Sequence, residues 1–363
     1  MLLSTFYIHL SVFYKFLIFQ VAFQAVFWYN KNGKQDKSFR KEGKTPFVSQ
    51  INALSTTSEE RISLTPSTED GTQEIKVIKM SIFDSYKKTK DLLICVDSDG
   101  CAMDTMNCKH FHCFGPRMVD EWNLHQWSDE ILKRWNEINL YQMTRGINRF
   151  AGLAMALTEI NEKYTKIDGI EALNHWVKNT RALSNGAIKE AAEALPRGNE
   201  RTCLEKALSW SNAVNRSIID LPRELKIPFN GAKEGLAAAH KIADVAVVSS
   251  ANRGAVEEEW EEHNLLPQVD ILLAQDVGTK AFCIKEMLNF GYDKEKTLMI
   301  GDAVGDMEAA DKNGVYFFPI LVNHEKESWE ELIKDALPRL KNNTFGGEYQ
   351  ADLKARFIKN LGG

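Results

Sequence analysis

The sequence predicts an α/β fold in which a doubly wound parallel sheet of about five strands carries an inserted all-α domain. Three observations predict it. Short apolar runs alternate with helical patterns along residues 80–101 and 240–363. About 140 residues between the first two runs have no strand pattern. Charged or hydroxyl-bearing residues come after four of the runs, where the strands of a parallel sheet would end.

The predicted strands are five continuous apolar runs, which are typical of strands that helices cover on both faces. Alternation of such strands with helices indicates a Rossmann-like arrangement. The strands are Leu92–Val96, Val245–Val248, Ile271–Ala274, Leu298–Ile300 and Val315–Ile320. The helices between and after them are Gly231–Ile242, Arg253–Asn264, Lys280–Asn289, Gly305–Lys312 and Ser328–Leu340, with one more near the C-terminus.

Residues 102–239 are predicted to form the inserted domain. Their patterns give helices at Asp129–Tyr141, Ile147–Lys163, Gly169–Asn179, Ala187–Leu195 and Arg201–Ile219. Tryptophans recur through these helices, and we expect them to pack the interior of the insertion.

Composition excludes some classes of protein. A net charge of −5 over 363 residues gives no basic surplus, so nucleic acid is not expected as a partner. Six unevenly spaced cysteines do not resemble a secreted disulfide scaffold and indicate reduced thiols in the cytoplasm.

The N-terminal 79 residues leave two interpretations open. Residues 1–29 are apolar and aromatic with Lys15 near their middle, and a basic stretch follows. If this segment inserts in a membrane, the basic stretch would keep the rest of the chain on the cytoplasmic side. Alternatively, the working protein begins at Met80, and residues 1–79 lie outside the folded unit. Residues 45–75 are polar and are predicted to be a linker.

Polar side chains that follow the predicted strands should meet at one edge of the sheet. They are Asp97, Asp99, Ser249, Ser250, Lys280, Asp302 and Asp306. Four carboxylates and a lysine would repel one another and desolvate poorly unless they share a ligand. A divalent cation beside a phosphate fits this set, because Mg²⁺ prefers hard oxygen ligands.

The spacing of Asp97 and Asp99 suits covalent phosphoryl transfer. Two carboxylates that lie two residues apart can face one site and still differ in pKa. One would then act as the nucleophile and the other would donate a proton to the leaving alcohol. Lys280 and the Ser249 hydroxyl would hold the phosphoryl oxygens.

Four segments, DSDG, VVSSAN, GTK and GDAVGD, resemble in this order the four motifs of the haloacid dehalogenase superfamily. The resemblance spans residues 92–320. It implies that Asp97 forms an aspartyl-phosphate. It also implies that Asp99 is the general acid and then the base, with its backbone carbonyl on the metal. Asp302 would be the second carboxylate ligand of Mg²⁺, and Asp306 would orient a metal-bound water or Lys280. Ser249, the Ser250 amide and Lys280 would bind phosphate.

The resemblance also implies that the insertion is a cap that closes over the substrate. Dehalogenases and phosphonate-cleaving members lack the second aspartate of the first motif, so Asp99 favours a phosphatase or a phosphomutase. We predict a Mg²⁺-dependent phosphatase that acts on a small phosphorylated metabolite. A sugar phosphomutase and a non-catalytic binding or regulatory protein of the same fold, membrane-tethered if residues 1–29 insert, are the alternatives.

Residues 101–113 contain cysteines and histidines that invite a zinc interpretation. Structural zinc sites usually pair their ligands with a second, distant pair, and none is evident. We therefore expect a helix at the hinge of the cap, with the cysteines packed as small apolar groups. Thr105, Lys109 and His110 are weaker candidates for substrate contacts.

Arg145 and Arg149 flank a glycine at a predicted helix start. Arginine suits a second phosphate or a carboxylate on the substrate. The alternative is that both are ordinary surface arginines on a helix.

Overall fold

The computed structural model describes residues 60–64, 75–79 and 81–363. The chain divides into two units, residues 1–86 and 87–363. The apolar segment 1–29 and the alternative start at Met80 lie outside the described residues and stay predictions. No described helix is both long and apolar enough to cross a membrane.

The first unit contains an antiparallel strand pair. Strands β1 (Glu60–Leu64) and β2 (Ile75–Lys79) pair with Glu60 opposite Lys79. β1 lies within residues 45–75, which the sequence predicts to be a linker, so that prediction is wrong for Glu60–Leu64. Only the last three residues of β1, Ile62–Leu64, alternate between apolar and polar, which is too short a pattern to predict a strand in a polar region.

The second unit is built on a five-stranded parallel sheet, which confirms the predicted fold class. Its strands are β3 (Leu92–Val96), β4 (Ala243–Val248), β5 (Ile271–Leu273), β6 (Thr297–Gly301) and β7 (Tyr316–Pro319). Their order is β5-β4-β3-β6-β7, and every pairing is parallel. The first strand in the chain is thus central, and Val96 lies opposite both Val247 and Ile300. All five β3 residues are buried, as an apolar run covered on both faces requires.

Apart from isolated β-bridges, all regular secondary structure between β3 and β4 is helical. The helices are α1 (Met106–Lys109), α2 (Gly115–Trp122), α3 (Ser128–Asn136), α4 (Arg149–Lys163), α5 (Ile170–Asn179), α6 (Asn185–Ala194) and α7 (Asn199–Ile219). Two π-helical turns, His110–Phe114 and Glu137–Tyr141, follow α1 and α3. The predicted helical boundaries in the insertion are met to within two residues.

The remaining helices flank the sheet. They are α8 (Ala232–Ile242), α9 (Arg253–Glu262), α10 (Lys280–Leu288), α11 (Val304–Asn313), α12 (Glu325–Glu331), α13 (Leu337–Lys341) and α14 (Glu348–Asn360). Gly314 ends α11 in the left-handed conformation, which glycine adopts readily at the end of a helix.

Two hydrophobic clusters hold this unit together. One joins the sheet to helices that include α8, α9 and α12. The other lies within the insertion and contains the buried side chains of Trp135, Trp176 and Trp210. The insertion therefore has its own apolar interior, which accounts for the tryptophans in its sequence.

Two tryptophans support the loop that follows β3 from beneath. Trp260 on α9 donates its indole N–H to Ser98 Oγ at 2.8 Å. Trp329 on α12 donates to the Cys101 carbonyl at 3.2 Å. Both rings are fully buried, so the loop between residues 97 and 101 rests on packed aromatic groups.

Gly235 lets the Trp329 ring lie directly against α8. A Cβ at this position would overlap a carbon of that ring, so we expect Gly235→Ala to destabilise the protein by about 1–3 kcal/mol. The control is Gly186→Ala in α6, where a new Cβ would meet only Ser184 Oγ at 3.9 Å. That change should stabilise by up to about 1 kcal/mol. Urea unfolding of both variants checks this, and equal shifts in the two would contradict the packing described.

Candidate active site

Four chain segments bring polar side chains to the carboxyl end of the sheet. Asp97 and Asp99 follow β3, and Ser249 follows β4. Lys280 is the first residue of α10, and Asp302 comes directly after β6. The strand order puts the β3, β4 and β6 ends side by side, so the predicted convergence at one edge follows from the topology.

Lys280 is the bridge at the centre of the site. Its ammonium lies 2.6 Å from Asp97 Oδ2 and 2.6 Å from Asp306 Oδ1. The other Asp306 oxygen accepts the backbone N–H groups of Asp302 at 3.2 Å and Ala303 at 3.0 Å. Of the two roles that the resemblance implies for Asp306, the contact seen here is the one with Lys280.

Three buried carboxylates lie close enough to share a cation. Oxygens of Asp97, Asp302 and Asp306 all lie within 4.8 Å of one another, and the three form the one such ligand group among the described residues. Asp302 Oδ1 is buried and has no hydrogen-bond partner in the described chain. A buried carboxylate oxygen without a partner is unfavourable, so a ligand at this point would complete the site.

Asp99 is held from the insertion side. Thr105 Oγ1 donates to its Oδ1 at 2.5 Å, and Lys109 Nζ lies 2.8 Å from each of its carboxylate oxygens. Glu259 on α9 has one oxygen 3.7 Å from the same ammonium. Sequence reasoning missed Glu259, because it is one of several glutamates in α9 and only its burial beside Trp260 distinguishes it.

Arg145 reaches the site from the insertion. Its Nε donates to Asp302 Oδ2 at 2.8 Å, and its NH1 donates to the Leu140 carbonyl at 2.8 Å. That carbonyl belongs to the π turn after α3, where widened helical geometry frees backbone groups. With only 3% of its surface exposed, Arg145 is not the surface arginine of the alternative interpretation.

Gly100 is required for the approach of these groups. Its φ is +82°, and a Cβ there would lie 2.5 Å from Asp302 Oδ2 and 2.7 Å from an Arg145 guanidinium nitrogen. Only glycine adopts this backbone conformation readily, and only glycine leaves the space. The glycine of the first motif therefore allows the β3 loop, the β6 end and the insertion to meet.

The carboxylates differ in their pKa. Burial raises the pKa of Asp97 well above its usual range despite the neighbouring Lys280 ammonium. Burial, opposed by Arg145, raises the pKa of Asp302 to about 6. Burial also acts on Asp99, but Lys109 outweighs it and lowers the pKa of that carboxyl. A divalent cation next to Asp97 would favour its ionised form, which a nucleophile needs.

Both lysines of the site are strongly held as cations. Burial acts against the charged form of Lys280, but Asp306 and Asp97 raise its pKa well above the usual range. Asp99 and Glu259 likewise raise the pKa of Lys109 against the effect of burial. Lys109 therefore acts as a charge in this arrangement and not as a neutral amine nucleophile.

The remaining candidate residues lie in different parts of the structure. Ser249 is buried and its Oγ accepts the Ala251 N–H at 3.1 Å, while Ser250 is exposed. Arg149 turns into the insertion, where it donates to Ser211 Oγ at 3.1 Å and Asn215 Oδ1 at 2.6 Å.

The cysteine–histidine tract is packed into the insertion. Cys108 and Cys113 are free thiols in its hydrophobic cluster, and the His110 ring stacks on Phe114 with centroids 4.6 Å apart. Lys109, in the middle of the tract, is the residue that turns to Asp99. The tract thus supplies one charged group to the sheet edge and several groups to the interior of the insertion.

Comparison with known proteins gives one family match. The model of the haloacid dehalogenase-like hydrolases matches residues 176–320, which contain Ser249, Lys280, Asp302 and Asp306. The motif with Asp97 lies before the matched segment. No curated protein matches the chain.

Several solved structures are similar to the chain. A proposed phosphoglycolate phosphatase from Lactobacillus delbrueckii subsp. bulgaricus is 15% identical, with 64% of this chain and 86% of that chain covered and a TM-score of 0.41. A haloacid dehalogenase-like family hydrolase from Xanthomonas campestris is 13% identical, with 70% and 99% covered and a TM-score of 0.36. A proposed hydrolase of this superfamily from Bacillus subtilis, bound to magnesium, is 13% identical, with 64% and 87% covered and a TM-score of 0.34.

Replacement of Arg145 tests its buried ion pair. Arg145→Met would leave Asp302 Oδ2 and the Leu140 carbonyl without their donor, so we expect a loss of about 3 kcal/mol or more in unfolding free energy. Arg149→Met is the matched control. It removes bonds within the insertion only, and the expected loss is about 1 kcal/mol. Denaturant unfolding at neutral pH without divalent cations is the measurement. Equal losses would contradict the special position of Arg145.

Proposed function

We propose that the chain is a haloacid dehalogenase-like hydrolase, as the match to that family's model supports, and that it acts as a Mg²⁺-dependent phosphatase on a small phosphorylated metabolite. The observation that carries the proposal is the Lys280 bridge between Asp97 and Asp306. It joins residues that follow three different strands and leaves Asp97 at the edge of the sheet where a phosphate ester would bind.

Asp97 is the proposed nucleophile. One of its carboxylate oxygens attacks phosphorus, the ester P–O bond breaks, and an aspartyl-phosphate forms. Lys109 holds Asp99 ionised before substrate binds, so Asp99 must first take up a proton from solvent or from the phosphate ester. It then gives that proton to the departing alkoxide and later takes a proton from a water molecule. That water attacks phosphorus, the bond between Asp97 and phosphorus breaks, and inorganic phosphate leaves. Asp97 returns to its carboxylate form.

Lys280, the Ser249 hydroxyl and the Ser250 amide are the proposed phosphate ligands. The Lys280 ammonium is fixed by two carboxylates, so it requires little rearrangement to meet the charge that develops on the phosphoryl oxygens. Ser249 accepts a backbone N–H through its oxygen, which leaves its own hydroxyl proton available for a phosphoryl oxygen.

The charges of the site fit a divalent cation. Five carboxylates (Asp97, Asp99, Glu259, Asp302 and Asp306) and three cations (Lys109, Arg145 and Lys280) leave two negative charges when all are ionised. The proposed ligands are the Asp97 carboxylate, the Asp99 carbonyl and Asp302 Oδ1, the buried oxygen that has no described partner. When bound, Mg²⁺ would offset the negative charge of the phosphate and of the nucleophile.

The predicted insertion over residues 102–239 includes the start of α8, whose Ala232, Leu236 and Ala239 pack in the cluster of the sheet. The part of the insertion that contains α1–α7 is the proposed cap. Two of its side chains, Lys109 and Arg145, bond to Asp99 and Asp302. A cap that ends on the reacting groups would exclude water and bring substrate contacts to the site only when closed. We keep the cytoplasm as the proposed location, because all six cysteines are free thiols.

Two alternatives remain to be separated by experiment. A sugar phosphomutase would use the same Asp97 and Asp99 and would convert a sugar phosphate to its isomer. Release of inorganic phosphate from sugar phosphates would favour the phosphatase. A non-catalytic binding protein would release none from any ester.

Hydrolysis of a generic aryl phosphate tests the proposal. With Mg²⁺ present, Asp97→Asn should lower kcat by about a thousandfold or more, because the amide cannot act as the nucleophile. Chelation of Mg²⁺ should abolish activity of the native protein. Asp129→Asn, which changes an exposed aspartate of α3, is the matched control and should retain full activity. Equal rates for the native protein and Asp97→Asn would refute the catalytic role.

A further inference from the structure

The carboxylate of Asp99 is engaged by two donors from the insertion. Lys109 Nζ lies 2.8 Å from each of its oxygens, and Thr105 Oγ1 donates to Oδ1 at 2.5 Å. As the proposed general acid, Asp99 has to bond to the oxygen of the departing alcohol. Both of its oxygens contact the ammonium, so Lys109 must move away from at least one of them before Asp99 can act.

Glu259 is a second carboxylate within reach of the same ammonium. Its Oε1 lies 3.7 Å from Lys109 Nζ, which is too long for a hydrogen bond. Its Oε2 is buried and has no hydrogen-bond partner among the described residues. Only 5% of the surface of Glu259 is exposed, so bulk water has little access to it. A buried carboxylate in this state lacks a donor that it needs.

Asp99 and Glu259 both lie on the sheet side of the structure, whereas Lys109 comes from the insertion. Glu259 precedes Trp260, whose ring packs in the cluster of the sheet and whose indole N–H donates to Ser98 Oγ at 2.8 Å. Because Ser98 is the neighbour of Asp99, this bond holds α9 and the β3 loop to each other. A movement of the insertion would therefore carry the ammonium relative to two carboxylates that stay in place.

The charges favour a closer approach of the ammonium to Glu259. Burial raises the pKa of the Glu259 carboxyl, and the Lys109 ammonium opposes this effect. A hydrogen bond between the two groups would favour the charged carboxylate further. A shift of about 1 Å would bring them to hydrogen-bond distance. Glu259 is thus an alternative partner for the ammonium directly beside its present one.

We propose that Glu259 is a positioning residue that accepts the Lys109 ammonium when Asp99 turns to the leaving group of the substrate. The ammonium then bonds to Glu259 Oε2, and only hydrogen bonds change in this move. Without Glu259, an ammonium that left Asp99 would be buried without a partner, which is strongly unfavourable. The contact between Lys109 and Asp99 is therefore the resting arrangement of the site. This inference rests on the proposed phosphatase function.

Glu261 provides a matched control for Glu259. Both are glutamates of α9 and lie two residues apart. The Glu261 side chain is exposed, and no ion pair in the described part of the chain includes it. Replacement by glutamine removes one negative charge at either position and keeps the length of the side chain. Only Glu259→Gln deprives Lys109 of its second carboxylate.

The first test compares ethyl phosphate with 4-nitrophenyl phosphate as substrates. The value of kcat/KM covers the steps up to departure of the alcohol. An ethoxide needs a proton from Asp99 in order to leave, whereas a nitrophenolate leaves readily without one. Glu259→Gln should therefore lower kcat/KM about tenfold or more for ethyl phosphate and less than about threefold for the nitrophenyl ester. Glu261→Gln should leave both values unchanged.

The outcomes of this test separate the inference from the proposed function. Equal losses for the two esters in Glu259→Gln, or no loss for either, would overturn the inference and leave the phosphatase function standing. Hydrolysis of neither ester by the native protein would count against the proposed function and with it against the inference. If Glu259→Gln does not fold, Glu259→Asp serves. It keeps the charge but lies one methylene farther from Lys109, so it should show the same difference between the esters to a smaller extent.

The second test asks whether Glu259 acts through Lys109. Lys109→Met removes the ammonium, so Asp99 no longer has to be released from it. In that background, Glu259→Gln should change the ratio of the two kcat/KM values by less than about twofold, because the two residues act as one unit. A tenfold change of the ratio in the presence and in the absence of Lys109 alike would overturn the positioning role.

Discussion

The ammonium of Lys280 is the interaction on which the site depends, because it lies between two carboxylates that would otherwise repel each other in a buried space. Asp97 and Asp306 each lie 2.6 Å from it, and Asp306 in turn accepts the backbone N–H groups at the end of β6. The contacts of Lys280 thereby link the segments that follow three strands. The raised pKa of Asp97 shows that this single cation does not fully offset the burial of its carboxylate, which leaves a role for a divalent cation.

The helical insertion supplies two charged side chains to the site at the edge of the sheet. Lys109 comes from the helix directly before one π turn, and the Leu140 carbonyl that holds Arg145 lies in another. Each of these two cations pairs with an aspartate of a motif, so docking of the insertion and the arrangement of the reacting carboxylates are linked. Breaking either buried pair would leave a buried charge without its partner, which is strongly destabilising.

The sheet and its polar edge could be predicted from the sequence, because apolar runs fix the strands and parallel topology carries their ends to one place. Contacts that depend on how the insertion packs against the sheet could not be predicted from the sequence. Arg145 and Arg149 lie in one local pattern, yet one bonds to Asp302 and the other to Ser211. Glu259 carries no distinguishing mark among its neighbouring glutamates, and its pairing with Lys109 joins residues 150 positions apart. Such long-range pairs have no local signal.

In the proposed reaction, Asp97 carries the phosphoryl group between the two halves of the reaction. Rapid quenching during turnover of an aryl phosphate, followed by borohydride reduction, would convert an aspartyl-phosphate to homoserine, which mass spectrometry can locate in the chain. We expect homoserine at residue 97 in the native protein and none at Asp99 or Asp302. Homoserine at another aspartate, or turnover with no reducible acyl-phosphate at all, would contradict it.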